Sequence, residues 1–519
     1  MTRTWKSGKR RIVVVGSGIG GMAAGALFSR LGHEVHVLER HPEMIGGHAR
    51  TRWIDGLGFT LGPQYVWHFN PGEIGDRFLS FLGIGPNSPF ALMDGGAFET
   101  LFLGTRDRPG FFTFEVPMGI PAFRERMVER FPAERQGLGR LFDDVNAVSE
   151  ASKIMLSRHL CSTAGFRQIL DFASTLKIPL LSKARIARSA LLPLGRLFDL
   201  HGLSAVSRRM LYGHGGIFAE SESEVSAIAY LAATGNYHDG ARYPIHGFEH
   251  FFGELKGAIE RAGGSVQTGK KVVRLVLKRD QVTHAITEDG SSHPCDALVS
   301  DISPRLTRTL LPGSRKDPYH YAPSHSIVIA CVGLGGSNPL VSAMKGRNYW
   351  WQEGSTEVNY RTPDVRARPS MLYITSHTAN GFGRAETCSK DDSLLIGLPG
   401  NYEQEQRIER DGPTSVERFK ERVTDHVLGI LDQDICPGLR DQVRFVEIVT
   451  SMDAERDMGS ERGNVYGRRL DVKNVLIPVQ HEPGIENLHN VSATQNLAGI
   501  ASGILTAASL VLRLTGTRI

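Results

Sequence analysis

Apolar residues along this chain follow two different periods. A short unbroken run, Ile12-Val13-Val14-Val15, is followed by Gly16-Ser17-Gly18-Ile19-Gly20-Gly21, then by an apolar stretch of helical length, and then by Val35-His36-Val37-Leu38-Glu39. A brief apolar run bounded by glycine reads as a buried strand, so the segment reads as strand, turn, helix and strand. The glycine spacing is that of a dinucleotide-binding βαβ unit. Gly16 permits the tight turn, Gly18 lets the main chain approach a pyrophosphate, and Gly21 lets the helix pack close to the sheet. Glu39 is placed to accept hydrogen bonds from a ribose.

Further on the period changes. Residues 72–236 read as mostly helical, with apolar positions recurring among charges over 121–148. After Tyr243-Pro244-Ile245-His246-Gly247 come a helix over 251–262, a Gly263-Gly264 turn, strands at 265–267, 271–277 and 282–287, and a last one at 296–301. These strands are expected to add edges to the first sheet. Strand-like runs at 326–332, 371–375, 394–398 and 443–449, with a helix over 415–431, predict an antiparallel sheet roofing a pocket. The tail, 487–503, reads as strand, loop and a helix whose glycine-rich start presents free N–H groups and a positive dipole end to an anion. The expected organisation is a discontinuous nucleotide-binding domain from 1–71, 237–315 and 471–519. A substrate-binding domain is expected from 72–236 and 316–470.

Composition narrows the possibilities. At 519 residues and 41 % hydrophobic content the chain exceeds what one core holds, and its net charge of +5 is too balanced to point to nucleic acid. Five cysteines lie far apart without CxxC spacing, so neither a disulfide framework nor a metal site is expected, and a reducing cytoplasm fits. No signal peptide is visible. Residues 497–512 are uncharged but diluted by Gly and Ser, which predicts a buried helix rather than a membrane span. A second glycine cluster, Gly333-Leu334-Gly335-Gly336, is followed by Ser337-Asn338-Pro339 and reads as a turn, not a nicotinamide fingerprint. Residues 151–215 carry ten Lys and Arg against Asp171 and Asp199, interleaved with leucines. Two readings stay open for that segment: peripheral contact with an anionic inner membrane face, or a solvated helical face over a core.

Several motifs then occur in a fixed order: the first glycine turn, Glu39, the pair Gly46-Gly47, Tyr243-Pro244-x-x-Gly247, Gly263-Gly264, Gly463-Asn464-Val465-Tyr466-Gly467, and the helix start from Gly499 to Gly503. In this the chain resembles the phytoene desaturase, carotenoid isomerase and retinol saturase group of flavoproteins, related in fold to amine oxidases. The resemblance implies an α/β, Rossmann-like FAD-binding domain with a mixed α+β substrate domain. It also implies FAD as cofactor and oxidoreductase or isomerase chemistry on C=C/C–C bonds of a hydrophobic polyene or isoprenoid. The residues expected to hold FAD are Gly16, Gly18, Gly20, Gly21, Glu39, Arg40, Gly46, Gly47, His48, Arg50, Val272, Asn496, Gly499 and Ile500. Because the flavin carries the hard step, no metal or nucleophile is required. The candidates for an assisting side chain are His48, Tyr243, His246 and Gln495. The chain departs from the group's pattern at His48, Thr60 and Ser492, which leaves the substrate open. The alternatives are a flavin oxidase tailoring a smaller secondary metabolite and a non-catalytic carrier of prenyl groups on the same fold. The expected partner is a hydrophobic small molecule and not nucleic acid, with the oligomeric state open.

Overall fold

A computed structural model describes all residues except 1–4, 6–7, 86–88, 158–177, 314–316, 355–356, 389, 477–483 and 496–497. Strand Arg11–Val15 lies at the centre of a five-stranded sheet ordered Leu488–Asn490, Ala297–Ser300, Arg11–Val15, Glu34–Leu38, Ser265–Gln267. Every neighbouring pair is parallel, with Val14 opposite both Val37 and Val299. The unbroken apolar run follows from this, because a parallel sheet is covered on both faces. Ile12 and Val14 pack on one side under the helices Ile19–Arg30, Gly247–Arg261 and Ile500–Thr515. Val13 and Val15 pack on the other, against a three-stranded antiparallel sheet of Val272–Lys278, Gln281–Thr287 and Ser292–Pro294.

That smaller sheet corrects one expectation. Only Ser265–Gln267 and Ala297–Ser300 join the first sheet, while the hairpin between them turns away and covers its face. Helix Ile500–Thr515 is buried along most of its length, and among the described residues no helix is long and apolar enough to cross a membrane.

The second sheet has seven strands, ordered Val443–Val449, Ile327–Leu334, Asp392–Pro399, Met371–Thr375, Asn348–Gln352, Glu99–Leu103, Phe112–Val116. It is mixed rather than antiparallel, since Asn348–Gln352 runs parallel to Glu99–Leu103. Two of its strands arise inside the stretch expected to be mostly helical. Glu99–Leu103 is buried at every position, and its own period shows only in which core each residue enters: Leu101 and Leu103 on one side, Phe102 on the other. The glycines after Ile327–Leu334 lead into a five-residue helix, Pro339–Ala343, capped by Asn338, so no second βαβ unit forms there.

Helices Arg135–Ser157, Leu180–Leu191, Leu194–His201, Ala205–Leu211 and Ala227–His238 pack over the first of these two cores. Much of the basic segment is neutralised inside this layer. The fully buried Asp144 receives Arg188, Arg185 at 3.2 Å and His201 at 2.8 Å, while Arg208 reaches Asp199 at 2.6 Å and Glu222 at 3.2 Å. Arg158, Arg167 and Lys177 lie outside the described residues.

Candidate functional site

Between the two sheets lies a cavity of about 490 Å³ whose wall changes character from one end to the other. One end is main chain and charge. Gly16, Gly46 and Gly499 adopt φ of +95°, +112° and +118°, which L side chains rarely tolerate, so each of these turns requires glycine. Helix Ile19–Arg30 begins after Gly18 and helix Ile500–Thr515 after Gly499, neither with a side-chain cap of its own. Two helix N-termini therefore open onto one cavity, each presenting a positive dipole end.

Glu39 ties this end together. Its Oε2 accepts from the main-chain N–H of Ser17 at 3.0 Å and from the Ser17 hydroxyl, and its Oε1 accepts from the His41 N–H at 2.8 Å. Ser17 in turn accepts the Gly46 N–H through its carbonyl at 3.0 Å, which fixes the second glycine turn on the first. Arg40, Arg50 and Val272 share the wall, as do Lys270 and Lys271. Arg50 donates to the carbonyls of Gly47 and Asp457, and Arg40 to that of Arg456.

The remaining glycines have a tighter purpose. A Cβ on Gly20 would lie 2.1 Å from the Val491 carbonyl oxygen, and one on Gly21 would lie 2.4 Å from that of Gly16. At Gly18 a Cβ would meet the Asp301 carboxyl at 2.5 Å. Asp301, at the end of strand Ala297–Ser300, accepts the N–H groups of Gly18 and Gly21, and burial, reinforced by Glu39, pushes its carboxyl well above the usual carboxylate range. No sequence motif marked Asp301. Its role comes from the crossing of a strand end with a helix start that is far away in sequence.

The other end is aromatic: Tyr65, Trp67, Tyr237, Trp350, Tyr373 and Tyr466 line it. Trp67 and Tyr65 lie 4.5 and 4.8 Å from Tyr237, and Trp350 lies 4.5 Å from Tyr373. Directly behind this wall, 2 % exposed, sits Glu99, which accepts from the Tyr65 hydroxyl at 3.0 Å and from the Trp350 indole at 3.1 Å. Sequence reading marked only Tyr466, within its glycine motif, and missed the others, which come from separate strands, a helix and a loop.

Of the four candidates for an assisting side chain, only His48 lines the cavity. Burial pulls its imidazole down to about 4, and its Nε2 has no partner among the described residues. Gln495 is buried behind the wall, with its amide 3.4 Å from Asn490 Oδ1. Tyr243 lies in strand Arg242–Pro244, paired with Phe90–Leu92, and the exposed His246 stands edge-on to His250. Neither reaches the cavity. Asn496 lies outside the described residues.

Comparison with known proteins bears on this site. The NAD(P)-binding Rossmann-like domain family matches residues 14–82. The all-trans-retinol 13,14-reductase of Danio rerio is 22 % identical, with 96 % of this chain and 85 % of the relative aligned. Phytoene dehydrogenase of Streptomyces griseus is 25 % identical over 85 % of this chain and 82 % of its own. The chain is thus similar to these two relatives over most of its length. With a reductase and a dehydrogenase aligned along most of its length, it is an oxidoreductase. Among solved structures, a CLA-producing fatty acid isomerase from P. acnes shares the fold, with a TM-score of 0.59 and 14 % identity over 98 % of this chain and all of that one. Gly16, Gly18, Glu39, Gly46 and Arg50 at the glycine end fall within the segment matched by the Rossmann-like family, whereas Asp301, Gly499 and most of the aromatic end fall outside it.

Proposed function

We propose that the chain binds FAD at the glycine end of the cavity and acts on C=C or C–C bonds of a hydrophobic polyene or isoprenoid at the aromatic end. The observation that carries this reading is the continuity of the cavity: an anion cradle and an aromatic chamber share one space. The residues present fit the cofactor. Gly16, Gly18, Gly46, Gly47, Gly499 and Ile500 would hold the phosphates against main-chain N–H groups, with Gly20 and Gly21 allowing the helix to start there. Glu39 would take the ribose, Arg40 and Arg50 would add positive charge, Val272 would pack on the adenosine side, and the unpartnered His48 Nε2 would find an acceptor or donor. Bound there, FAD supplies a ring that takes up or gives a hydride. The protein supplies orientation and a chamber from which water is excluded.

Absorbance at the flavin bands in purified protein tests the first half. Gly18→Val is expected to abolish flavin retention, because the added side chain displaces Asp301 into the cradle. A colourless protein that cannot be reconstituted with FAD would sink the reading. Mass spectrometry of lipids and pigments from a host with and without the gene tests the second half.

For a cytoplasmic enzyme with an apolar substrate we further infer peripheral membrane contact through the helices 180–206. Leu180, Leu181, Leu191 and Leu200 there are exposed at 83, 62, 53 and 59 %. Arg185, Arg188 and Arg208 are committed to internal ion pairs, so the informative variant is Leu180→Glu with Leu181→Glu. It should lose sedimentation with anionic liposomes and keep its fold. Sedimentation equal to the parent would refute the contact.

A further inference from the structure

Glu99 is placed in a way that packing alone does not explain. It sits on strand Glu99–Leu103 among Tyr65, Trp350, Tyr237, Tyr373 and Tyr230, and among the described residues no Lys or Arg forms an ion pair with it. The base that faces it is His214, whose Nδ1 lies 3.5 Å from Oε2 and has no hydrogen-bond partner among the described residues. His238 stands beyond His214, stacked on Phe123 and equally enclosed. A buried carboxyl without a cation is costly, and a glutamine would accept the same two hydrogen bonds. What glutamine cannot do is release a proton.

The geometry orders these groups into a line. Oε1 is taken by the Tyr65 hydroxyl and the Trp350 indole, which leaves Oε2 to carry a proton toward the free Nδ1 of His214. Tyr65 and Trp350 line the cavity, whereas Glu99 and His214 do not. The Tyr65 phenol also lies within hydrogen-bond reach of Tyr237. We propose that Tyr65 is the catalytic residue that hands a proton to the polyene or takes one from it, and that Glu99 is the store that resupplies Tyr65 from behind the wall.

This rests on the reading of the cavity as a flavin site for C=C chemistry. In the saturating direction the π bond breaks and two C–H bonds form. One carbon receives a hydride, with both electrons, from dihydroflavin, which is thereby oxidised. The neighbouring carbon receives the proton of the Tyr65 hydroxyl. The carboxyl then turns its protonated oxygen from His214 to the phenolate and gives up that proton, and the carboxylate recovers one from solvent. Desaturation runs the same transfers in reverse, with oxidised flavin as the hydride acceptor. Burial agrees with the assignment, pushing the Glu99 carboxyl up to about 7 and the His214 imidazole down to about 4, so the carboxyl exchanges its proton near neutral pH.

Two measurements test it. Infrared difference spectra of the flavin-free and flavin-loaded protein, titrated across neutral pH, should show a protonated-carboxyl band that fades with a midpoint near 7. The band should be absent from Glu99→Gln and shifted in Tyr65→Phe. A band that survives Glu99→Gln, or no carboxyl titrating in that range, overturns the store. The second measurement uses FAD-loaded, dithionite-reduced enzyme with all-trans-retinol as probe. There Tyr65→Phe should lower kcat by about 100-fold or more with little change in KM. Glu99→Gln should remove the neutral limb of the pH profile, and Glu99→Asp should restore it. Wild-type pH profiles in both variants overturn the relay. A wild type that holds flavin but leaves retinol unchanged counts against retinol as substrate, and the infrared titration then decides the relay alone.

Discussion

The two ends of the cavity are built from opposite materials. At the glycine end the main chain forms the surface: positive-φ turns, two helix starts that follow a glycine, and a carboxylate that braces Ser17. At the aromatic end side chains form it, contributed by separate strands and helices, with a buried acid behind them. A surface made of N–H groups recognises an anion of fixed shape, and it tolerates almost no added atom. A surface of rings recognises apolar area, and it can be reshaped one side chain at a time. The glycine end is accordingly written largely in a local motif, and the aromatic end is not.

The sharpest break of this contrast is Gly20→Val. Its Cβ would fall 2.1 Å from a carbonyl oxygen that cannot move without the strand end, so a loss of more than about 3 kcal/mol is expected in thermal or denaturant melts. Gly18→Val meets only a movable carboxyl, and should lose flavin while melting much closer to the parent. Equal destabilisation of the two would show that the glycine end is packing alone.

Glu99→Gln probes the aromatic end through pH. Glu99 is held at about 7 in the folded chain against 4.5 as the ordinary value, so between these pH values the native state holds a proton that the unfolded state lacks. Wild-type stability is therefore present below pH 4.5, falls as pH rises to 7, and is flat above. The glutamine variant lacks this loss and should be the more stable of the two above pH 7, by up to about 3 kcal/mol, with the gap closing toward pH 4.5. Parallel stability curves would show that burial does not hold a proton on Glu99 above its ordinary range.

Tyr373→Phe should have the smallest effect. Among the described residues its buried hydroxyl has only Thr375 within reach, so removing it should change stability by no more than about 1 kcal/mol in thermal melts. A clear loss would reveal a partner for that hydroxyl.

How far each end could be read from sequence follows from the distance over which it is encoded. The βαβ unit is local, and the strands at Arg11–Val15 and Glu34–Leu38 with their intervening helix stand where periodicity puts them. Strands Met371–Thr375 and Val443–Val449 likewise coincide with their apolar runs. The misreadings share one cause. Glu99–Leu103 looks unlike a half-buried strand because both its faces are covered, and the hairpin after Val272 looks like an edge of the first sheet although it packs on its face. The basic run reads as a surface feature, but its partners Asp143, Asp144 and Glu222 are supplied by neighbouring helices and loops.

What the sequence by itself determined is the glycine turn, its flanking strands and helix, and Glu39 at the end of the second strand. Backbone conformation and close approach are decided by the residue at each position and its immediate neighbours. What only the tertiary structure decided is which side chains share the cavity. Tyr65 lies 34 residues before Glu99 and Trp350 lies 251 after it, and they meet there because a parallel pairing sets strand Asn348–Gln352 beside Glu99–Leu103. No local pattern encodes that pairing, since it is settled by how the two sheets and the helical layer bury their apolar faces together.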